Sequence, residues 1–267
     1  MFDLTNMPIS ILNKVDGLPY NYDGIGESDA KVLIYDNMVL KIEKTSRSSR
    51  NEKSLLKWLN GKVSAPKIIE AETQNGYSYL LMTKLTGEMA CADNLLQNNM
   101  NETVKALANG LKMLWEVDIT DCPCSNTVSE KLVQAKYNID NNLVDIDDFN
   151  PETFTTEGFI DVHDLYNYLN QNRPTEDLVF THGDFCLPNI FVCGDKTTGI
   201  LDWGSGGIAD RWQDIALCVR SLHHNYIEYK SGSESDYTKY KAMLFDELGI
   251  APDEEKIRYY ILLDELF

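Results

Sequence analysis

Three polar residues, separated by fixed intervals, are the best candidates for chemistry in this chain. Asp184 follows His182-Gly183, Asn189 comes five residues later, and Asp202 opens an Asp-Trp-Gly segment thirteen residues after that. Transfer of a phosphoryl group from a nucleotide needs a carboxylate to orient and deprotonate the attacking hydroxyl, and it needs oxygen ligands for the Mg²⁺ that neutralises the phosphates. The spacing therefore predicts Asp184 as the catalytic base, with Asn189 and Asp202 as metal ligands.

Asp184 and the neighbouring His182 each also have a purely structural explanation. Gly183-Asp184 is common turn chemistry, and His182 is equally typical of a buried, hydrogen-bonded histidine. The full combination is more specific, because short strand-like runs bracket the polar positions at residues 178–181, 190–193 and 199–201.

The N-terminal part of the chain offers the partners that a nucleotide needs. Lys41 lies in a predicted strand, residues 38–42, and Glu52 lies near the start of the next predicted helix. A strand lysine on the α- and β-phosphates, held by a helix glutamate, is the usual arrangement in phosphoryl transfer. Taken singly, Lys41 is as consistent with a solvent-facing lysine, and Glu52 with a first-turn acid favoured by the helix dipole. Together with the downstream residues they favour ATP or GTP as a substrate.

Two further segments are predicted to contact the nucleotide. The glycines Gly24 and Gly26 precede a predicted strand, and their loop would cover the phosphates with backbone N–H groups and the Ser28 hydroxyl. Residues 82–85 connect two differently composed parts of the chain, and their backbone groups would read the adenine edge. The same sequence is equally expected of a connecting segment that has no role in binding. The predicted residues of this hinge are Met82, Thr83 and Leu85.

The elements that must position these residues change in type along the chain. Residues 30–35 and 38–42 predict a β-hairpin, and residues 51–60 predict a helix that stops at Gly61. Helical periodicity dominates later, at residues 103–117, 129–138, 162–170, 214–226 and 254–267. We predict an α+β protein with an N-terminal nucleotide-binding lobe, residues 1–84, and a C-terminal catalytic and substrate-binding lobe, residues 85–267. An acidic insertion is expected at about residues 140–165.

The charge is strongly negative and unevenly distributed. Residues 1–60 hold eight basic and eight acidic side chains, whereas residues 121–177 hold three and twelve, within a formal net charge of −18. Nucleic-acid binding needs a basic face, which this composition excludes, and no apolar run approaches the length of a membrane span. The six cysteines form no paired ligand set. These features predict a cytoplasmic protein whose acidic part is either solvated surface or a site for a polycation.

The quoted residues resemble the aminoglycoside phosphotransferases, and most closely the 3'-phosphotransferase group. The similarity is strongest over residues 178–222 and 259–267, and further matching segments are residues 58–62, 80–82, 118–123 and 209–216. The resemblance implies a protein-kinase-like two-lobed fold, ATP or GTP with Mg²⁺, and phosphoryl transfer to a hydroxyl of an aminoglycoside antibiotic, with the 3'-hydroxyl as the expected position. The product would be an inactivated drug, and the protein would confer resistance.

The resemblance also implies where the antibiotic binds. Asp264, Glu265 and the carboxylate of Phe267 would face its ammonium groups, and Glu152 and Glu157 would belong to a loop that covers it. A fraying helix end is the ordinary alternative for the terminal acids. Acids in a last helical turn oppose the helix dipole, so a cationic ligand would relieve an unfavourable field. The oligomeric state stays open between a monomer and a weak dimer.

Some positions depart from the family pattern. Ser205 and Ile208 stand where close relatives carry arginines, and Val39 stands where an aromatic ring often stacks on adenine. Leu187-Pro188 replaces a more polar pair in the catalytic loop. We expect these differences to alter rate, nucleotide preference or drug range.

Three alternatives remain at this point. A kinase of another small cationic or sugar alcohol would use the same machinery with a different pocket. A catalytically weak nucleotide-binding scaffold would be expected to lack a machinery residue, and Lys41, Asp184, Asn189 and Asp202 are all present. An acid–base hydrolase using Asp184 and Asp202 would leave Asn189, Lys41 and Glu52 unexplained.

Overall fold

The computed structural model describes residues 7–22, 30–146, 149, 153–154 and 158–267. Several residues singled out above lie outside these ranges, namely Gly24, Gly26, Ser28, Glu152 and Glu157.

The N-terminal part is an antiparallel sheet with one helix before it and one inserted into it. Helix α1 (Ile9–Val15) precedes five strands in the order β1-β2-β3-β5-β4. Their bounds are β1 (Asn21–Tyr22), β2 (Lys31–Ile34), β3 (Met38–Lys44), β4 (Ile68–Gln74) and β5 (Tyr77–Thr83). The side chains of Ile11, Leu33, Leu40 and Leu81 form a core between α1 and the sheet. The predicted hairpin is confirmed as β2–β3, with Lys41 opposite Val32 in the register.

Helix α2 (Arg47–Trp58) carries Glu52 toward the sheet. It begins four residues before the predicted start, because Ser46 caps it. The Ser49 backbone N–H donates to the Ser46 hydroxyl, and the Ser46 backbone N–H donates to the Ser49 hydroxyl. This reciprocal cap satisfies donors that the first helical turn leaves unpaired. Leu55 and Leu56 are buried on the inner side of the same helix.

The C-terminal part is mainly helical. Its helices are α3 (Asp93–Asn98), α4 (Met100–Trp115), α5 (Val128–Asp140), α6 (Val162–Gln171), α7 (Arg211–His223), α8 (Glu234–Leu248) and α9 (Glu254–Asp264). Two small antiparallel sheets lie among them, with strands β6 (Glu88–Met89), β7 (Leu178–Thr181), β8 (Ile190–Cys193), β9 (Lys196–Ile200) and β10 (Gly207–Asp210). Helix α4 is buried along most of its length and supports β7, β8 and β9 from behind.

The predicted strands around the polar motif are confirmed, whereas several other elements, among them α8 and β10, were not predicted. Strands β7 and β8 have the predicted bounds, whereas β9 starts earlier, at Lys196. Helix α8 was missed because its first half is polar and only Leu244, Phe245 and Leu248 are buried. Strand β10 was missed because Gly207–Asp210 is short and gains its order by pairing with β7. Helix α7 ends earlier than predicted and continues as a π-helical turn, His224–Tyr229.

Among the described residues, no helix combines the length and the apolar character required to cross a lipid bilayer. The division of the chain into two lobes at residue 84 stays a prediction.

Candidate active site

The loop between β7 and β8 holds Asp184 and Asn189 in direct contact. The Asn189 amide nitrogen donates to a carboxylate oxygen of Asp184, Oδ2, at 2.9 Å and to the Asp184 backbone carbonyl at 3.0 Å. Asn189 ends a short 3₁₀ turn, Leu187–Asn189. The backbone N–H of Leu187 donates to the Ser221 hydroxyl of α7. The two predicted residues are therefore brought together by the loop itself and are fixed to the helical part behind it.

Asp214 of α7 binds the backbone at the start of this loop. Its carboxylate accepts the backbone N–H of His182 at 2.6 Å and that of Gly183 at 2.8 Å, and it is fully buried. Bonds from neutral donors to a charged acceptor are among the stronger hydrogen bonds in proteins. Sequence reasoning gave Asp214 no role. The available signal was a single acid in front of the apolar run that follows it in α7.

Gly183 is required by the close approach of two segments. It has φ +81°, and a Cβ atom there would lie 1.9 Å from the Ser205 carbonyl oxygen. Any other residue would be strained and would push the Asp-Trp-Gly segment away from the catalytic loop.

Asp202 is presented by an unusual backbone conformation above a buried tryptophan. Its φ and ψ are 60° and 67°, a left-handed conformation that costs a non-glycine residue about 1–3 kcal/mol when it is not supported elsewhere. Trp203 provides that support, because its ring is fully buried, packs at 4.7 Å from the His182 ring, and donates to the Ile200 carbonyl at 2.9 Å. The Asp202 side chain is thereby left partly exposed.

Lys41 joins the sheet to this segment. Its ammonium lies 3.0 Å from a carboxylate oxygen of Glu52 and 2.7 Å from one of Asp202. Glu52 is almost fully buried, so the ion pair has little access to water. The structure therefore brings together the predicted nucleotide residues Lys41 and Glu52 with the predicted metal ligand Asp202.

Burial and charge act in opposite directions on this ion pair. Burial disfavours the Lys41 ammonium, but the carboxylates of Glu52 and Asp202 outweigh it and raise the pKa of Lys41 above its ordinary value. Burial raises the pKa of Glu52 to about 7, although Lys41 acts to lower it. Lys41 is therefore charged throughout the physiological range, as its predicted role on the phosphates requires.

The donor set fits a magnesium ion held largely by phosphates. Both contacts made by the Asn189 amide nitrogen face Asp184, so its Oδ1 is the atom left for a cation. Asp202 adds a carboxylate whose exposed position leaves room for water and phosphate oxygens. In the part of the chain that the structure describes, no cluster of three or more His, Cys, Asp or Glu side chains would hold a metal by itself. Mg²⁺ commonly uses one or two carboxylates and takes its other ligands from phosphates and water.

The predicted hinge is partly occupied by protein contacts. Met82 is buried in β5 opposite Val39, and the Thr83 backbone N–H donates to the Lys67 carbonyl at 2.9 Å. The next N–H, that of Lys84, donates to the Asn37 carbonyl at 3.1 Å. The Leu85 side chain packs against Gly199 of β9. Recognition of a base by this segment stays a prediction, and it would have to use backbone groups other than these two N–H donors.

The predicted antibiotic-binding acids lie at the end of α9, close to α7 and α5. Asp264 forms an ion pair with Arg220 of α7 at 2.7 Å, and Glu265 accepts from the Thr153 hydroxyl at 3.0 Å. Phe267 is about half exposed, with the Lys131 ammonium 4.7 Å from the centre of its ring. Sequence reasoning missed both cations, Arg220 and Lys131, because neither belongs to the motif and each has the spacing of an ordinary helix residue.

We expect the Asp214→Asn substitution to remove a pH dependence of stability. Burial raises the pKa of Asp214 from its ordinary 3.8 to about 6, against the lowering effect of its bonds to His182 and Gly183. The folded protein therefore holds a proton between these pH values that the unfolded chain releases. The contribution of Asp214 to the free energy of unfolding is largest at low pH and declines as pH rises through about 6.

Urea unfolding of the natural protein and of Asp214→Asn between pH 4.5 and 7.5 measures this difference. The variant should lack the decline, and its kcat should be about tenfold lower, because an amide nitrogen facing a backbone N–H displaces the loop that carries Asp184. Parallel stability curves with an unchanged kcat would contradict the role of Asp214.

Comparison with known proteins identifies the family. The model of a family described as "Phosphotransferase enzyme family" matches residues 23–247. An aminoglycoside 3'-phosphotransferase from Enterococcus faecalis is 37% identical over 254 residues, which cover 92% of each chain. Another from Niallia circulans is 41% identical over 223 residues, covering 83% of this chain and 79% of that one.

A solved structure extends the similarity to the fold. An aminoglycoside phosphotransferase from Streptomyces rimosus, in complex with ADP and streptomycin, superposes with a TM-score of 0.79 at 20% identity, covering 100% of this chain and 99% of that one. The predicted kinase-like fold is confirmed by this likeness. The sequence matches confirm the predicted relationship, and the chain belongs to the phosphotransferase enzyme family that includes the aminoglycoside 3'-phosphotransferases.

Proposed function

We propose that this protein transfers the γ-phosphoryl group of ATP, or of GTP, to the 3'-hydroxyl of an aminoglycoside antibiotic and thereby confers resistance. The observation that carries the proposal is the continuous contact from Glu52 through Lys41 to Asp202, set beside the Asp184–Asn189 pair. An ion pair for the nucleotide phosphates and a carboxylate for the acceptor thus lie on neighbouring segments. The names of the relatives from E. faecalis and N. circulans supply the acceptor class and the position of transfer.

Asp184 would act on the acceptor hydroxyl. Its carboxylate, oriented by the Asn189 amide, would accept the proton as the hydroxyl oxygen bonds to the γ-phosphorus. The bond from that phosphorus to the bridging oxygen breaks, and the electron pair leaves with the nucleoside diphosphate. The contribution of such a residue is position as much as basicity, since holding the reacting atoms in line removes much of the entropic barrier.

Lys41 would bind the anionic end of the nucleotide. Its ammonium is held between Glu52 and Asp202, so it is oriented before any phosphate arrives. Asn189 and Asp202 would hold Mg²⁺, which when bound supplies positive charge against the phosphate oxygens. Preorganised charge of this kind is worth more than charge that must reorient during the reaction. Because the proposed nucleotide donor is made and used in the cytoplasm, we propose that the reaction takes place there.

The acceptor side of the site is expected to be acidic. Asp264 contacts α7, which also supports the loop of Asp184 through Ser221, and Glu265 and Phe267 follow Asp264 in the chain. A polycationic antibiotic would bind there largely by electrostatic attraction, which salt weakens when the charges are exposed. The strongly negative charge of residues 121–177 would favour the approach of such a ligand.

A turnover assay with a panel of acceptors tests the proposal. The panel contains aminoglycosides with a 3'-hydroxyl, matched 3'-deoxy aminoglycosides, and small cationic or sugar alcohols, each with ATP and with GTP. We expect turnover with the 3'-hydroxyl members, with the phosphate assigned to that oxygen by NMR of the product. Equal turnover of the 3'-deoxy members would overturn the position of transfer, and turnover of the small alcohols alone would overturn the acceptor class.

A further inference from the structure

Helix α5 presents a lysine to the terminal segment. The Lys131 ammonium lies 4.7 Å from the centre of the Phe267 ring, within the range of a cation–π contact. The same helix holds the chain next to that ring, because the Asn138 amide nitrogen donates to the Leu266 carbonyl at 2.9 Å. The position of Lys131 relative to the terminal acids is therefore fixed by two contacts from one helix.

Lys131 lacks a carboxylate partner among the described residues. Arg220, the other cation of this region, is paired with Asp264 at 2.7 Å, whereas Lys131 makes no ion pair with any residue that the structure describes. Burial lowers the pKa of Lys131, and the more distant carboxylates of Asp264, Asp214 and Asp184 offset this only in part. Its ammonium thus lies beside the terminal segment with no described carboxylate in direct contact.

We propose that Lys131 is a specificity-determining residue that competes with the substrate for the acidic end of the site. This inference rests on the proposed function, because it concerns the binding of a polycationic acceptor. An antibiotic ammonium that approaches Asp264 and the Phe267 ring enters a space where Lys131 already carries the same charge. Like charges at short range repel, and the repulsion is stronger in a partly buried site than in water.

The competition has a chemical signature. An aminoglycoside that places an ammonium group next to Asp264 and the Phe267 ring has to overcome its repulsion by Lys131. An aminoglycoside with a hydroxyl group at the same place does not. Lys131 therefore narrows the range of acceptors by charge. It should leave the binding of the nucleotide unaffected, because the proposed phosphate ligand is Lys41, which Glu52 holds in place on a different part of the chain.

The test removes the charge of Lys131 and keeps most of the length of its side chain. Lys131→Met is compared with Lys131→Arg, which keeps the charge and the contact with the ring. Lys136→Met serves as the matched control, because Lys136 lies on the same helix, is exposed and pairs with Asp140. The readouts are KM and kcat for ATP and for two aminoglycosides that differ by one amino group against one hydroxyl group. Thermal unfolding checks that each variant is folded.

For Lys131→Met we expect KM for the amino compound to fall by about threefold to tenfold, with a smaller fall for the hydroxyl compound. KM for ATP should not change, and Lys131→Arg and Lys136→Met should behave as the natural protein does. An unchanged or higher KM for the amino compound, or a fall in kcat alone, overturns the inference. Absence of turnover by the natural protein with every aminoglycoside overturns the proposed function instead, so the two failures are distinguishable.

Should Lys131→Met fail to fold, calorimetric titration of the natural protein and of Lys131→Gln tests the same inference. The titration is run with the two aminoglycosides at two salt concentrations. A preference for the amino compound that is as strong in the natural protein as in Lys131→Gln overturns the inference.

Discussion

The Asp184→Asn variant should lose phosphorylation of the acceptor almost completely. The amide has nearly the shape of the carboxylate and can still accept from Asn189 through its oxygen, so the loop should keep its conformation. It cannot take up the proton of the attacking hydroxyl. General base catalysis and orientation together support an expected fall in kcat of about 10³-fold, measured by coupled detection of the nucleoside diphosphate.

Nucleotide binding by the same variant should stay close to that of the natural protein, because Lys41 and Glu52 do not contact Asp184. Asp195→Asn is the matched control, since Asp195 is an exposed acid in the turn between β8 and β9. Retention of more than a tenth of the natural kcat in Asp184→Asn would remove Asp184 from its role as the base. An equal loss of kcat in Asp195→Asn would show that the loss is not specific to Asp184.

Replacement of Lys41 by Met should have the second largest effect. The substitution removes the positive charge between Glu52 and Asp202 and leaves Glu52 buried without its ammonium partner. Breaking a buried pair from one side costs about 3–5 kcal/mol, which Glu52 would reduce by binding a proton. We expect kcat/KM for ATP to fall by about 100-fold or more, because the phosphates lose their preorganised cation.

Two further variants separate the loss of nucleotide binding from the loss of stability. Lys44→Met changes an exposed lysine on the same strand and should have little effect on either. Lys41→Met combined with Glu52→Gln removes the unpaired acid, so it should recover stability in urea without recovering turnover. Recovery of turnover in the double variant would assign Lys41 a structural role only.

The motif and its strands were predictable because local sequence determines them. Strands β7 and β8 are short apolar runs next to polar residues, and this pattern is visible without knowledge of the fold. The contact of Lys41 with Asp202 joins residues far apart in sequence. The need of a nucleotide for both groups predicted that they serve one site, but it did not predict their direct contact.

The roles that sequence reasoning missed depend on packing between helices. Asp214, Arg220 and Lys131 act through positions that only the assembled helices α5, α7 and α9 define. Their residue types and spacing match those of many solvent-facing helix positions, so no local pattern distinguishes them. The predicted contributions of Ser28, Glu152 and Glu157 stay predictions.

The contact of Gly183 with Ser205 has a consequence for motion. With the Gly183 Cα so close to a carbonyl that a Cβ would lie 1.9 Å from it, the two segments carrying Asp184 and Asp202 are in direct contact, so a displacement of one would press on the other. Lys41 reaches the Asp202 segment from β3, and helix α2 packs against the same segment through Ser48 and Asn51, so the Lys41–Asp202 ion pair is one of several contacts there. Entry of a nucleotide would then exchange one partner of Lys41 for another, while the α2 contacts and the Gly183–Ser205 contact keep Asp202 beside Asp184.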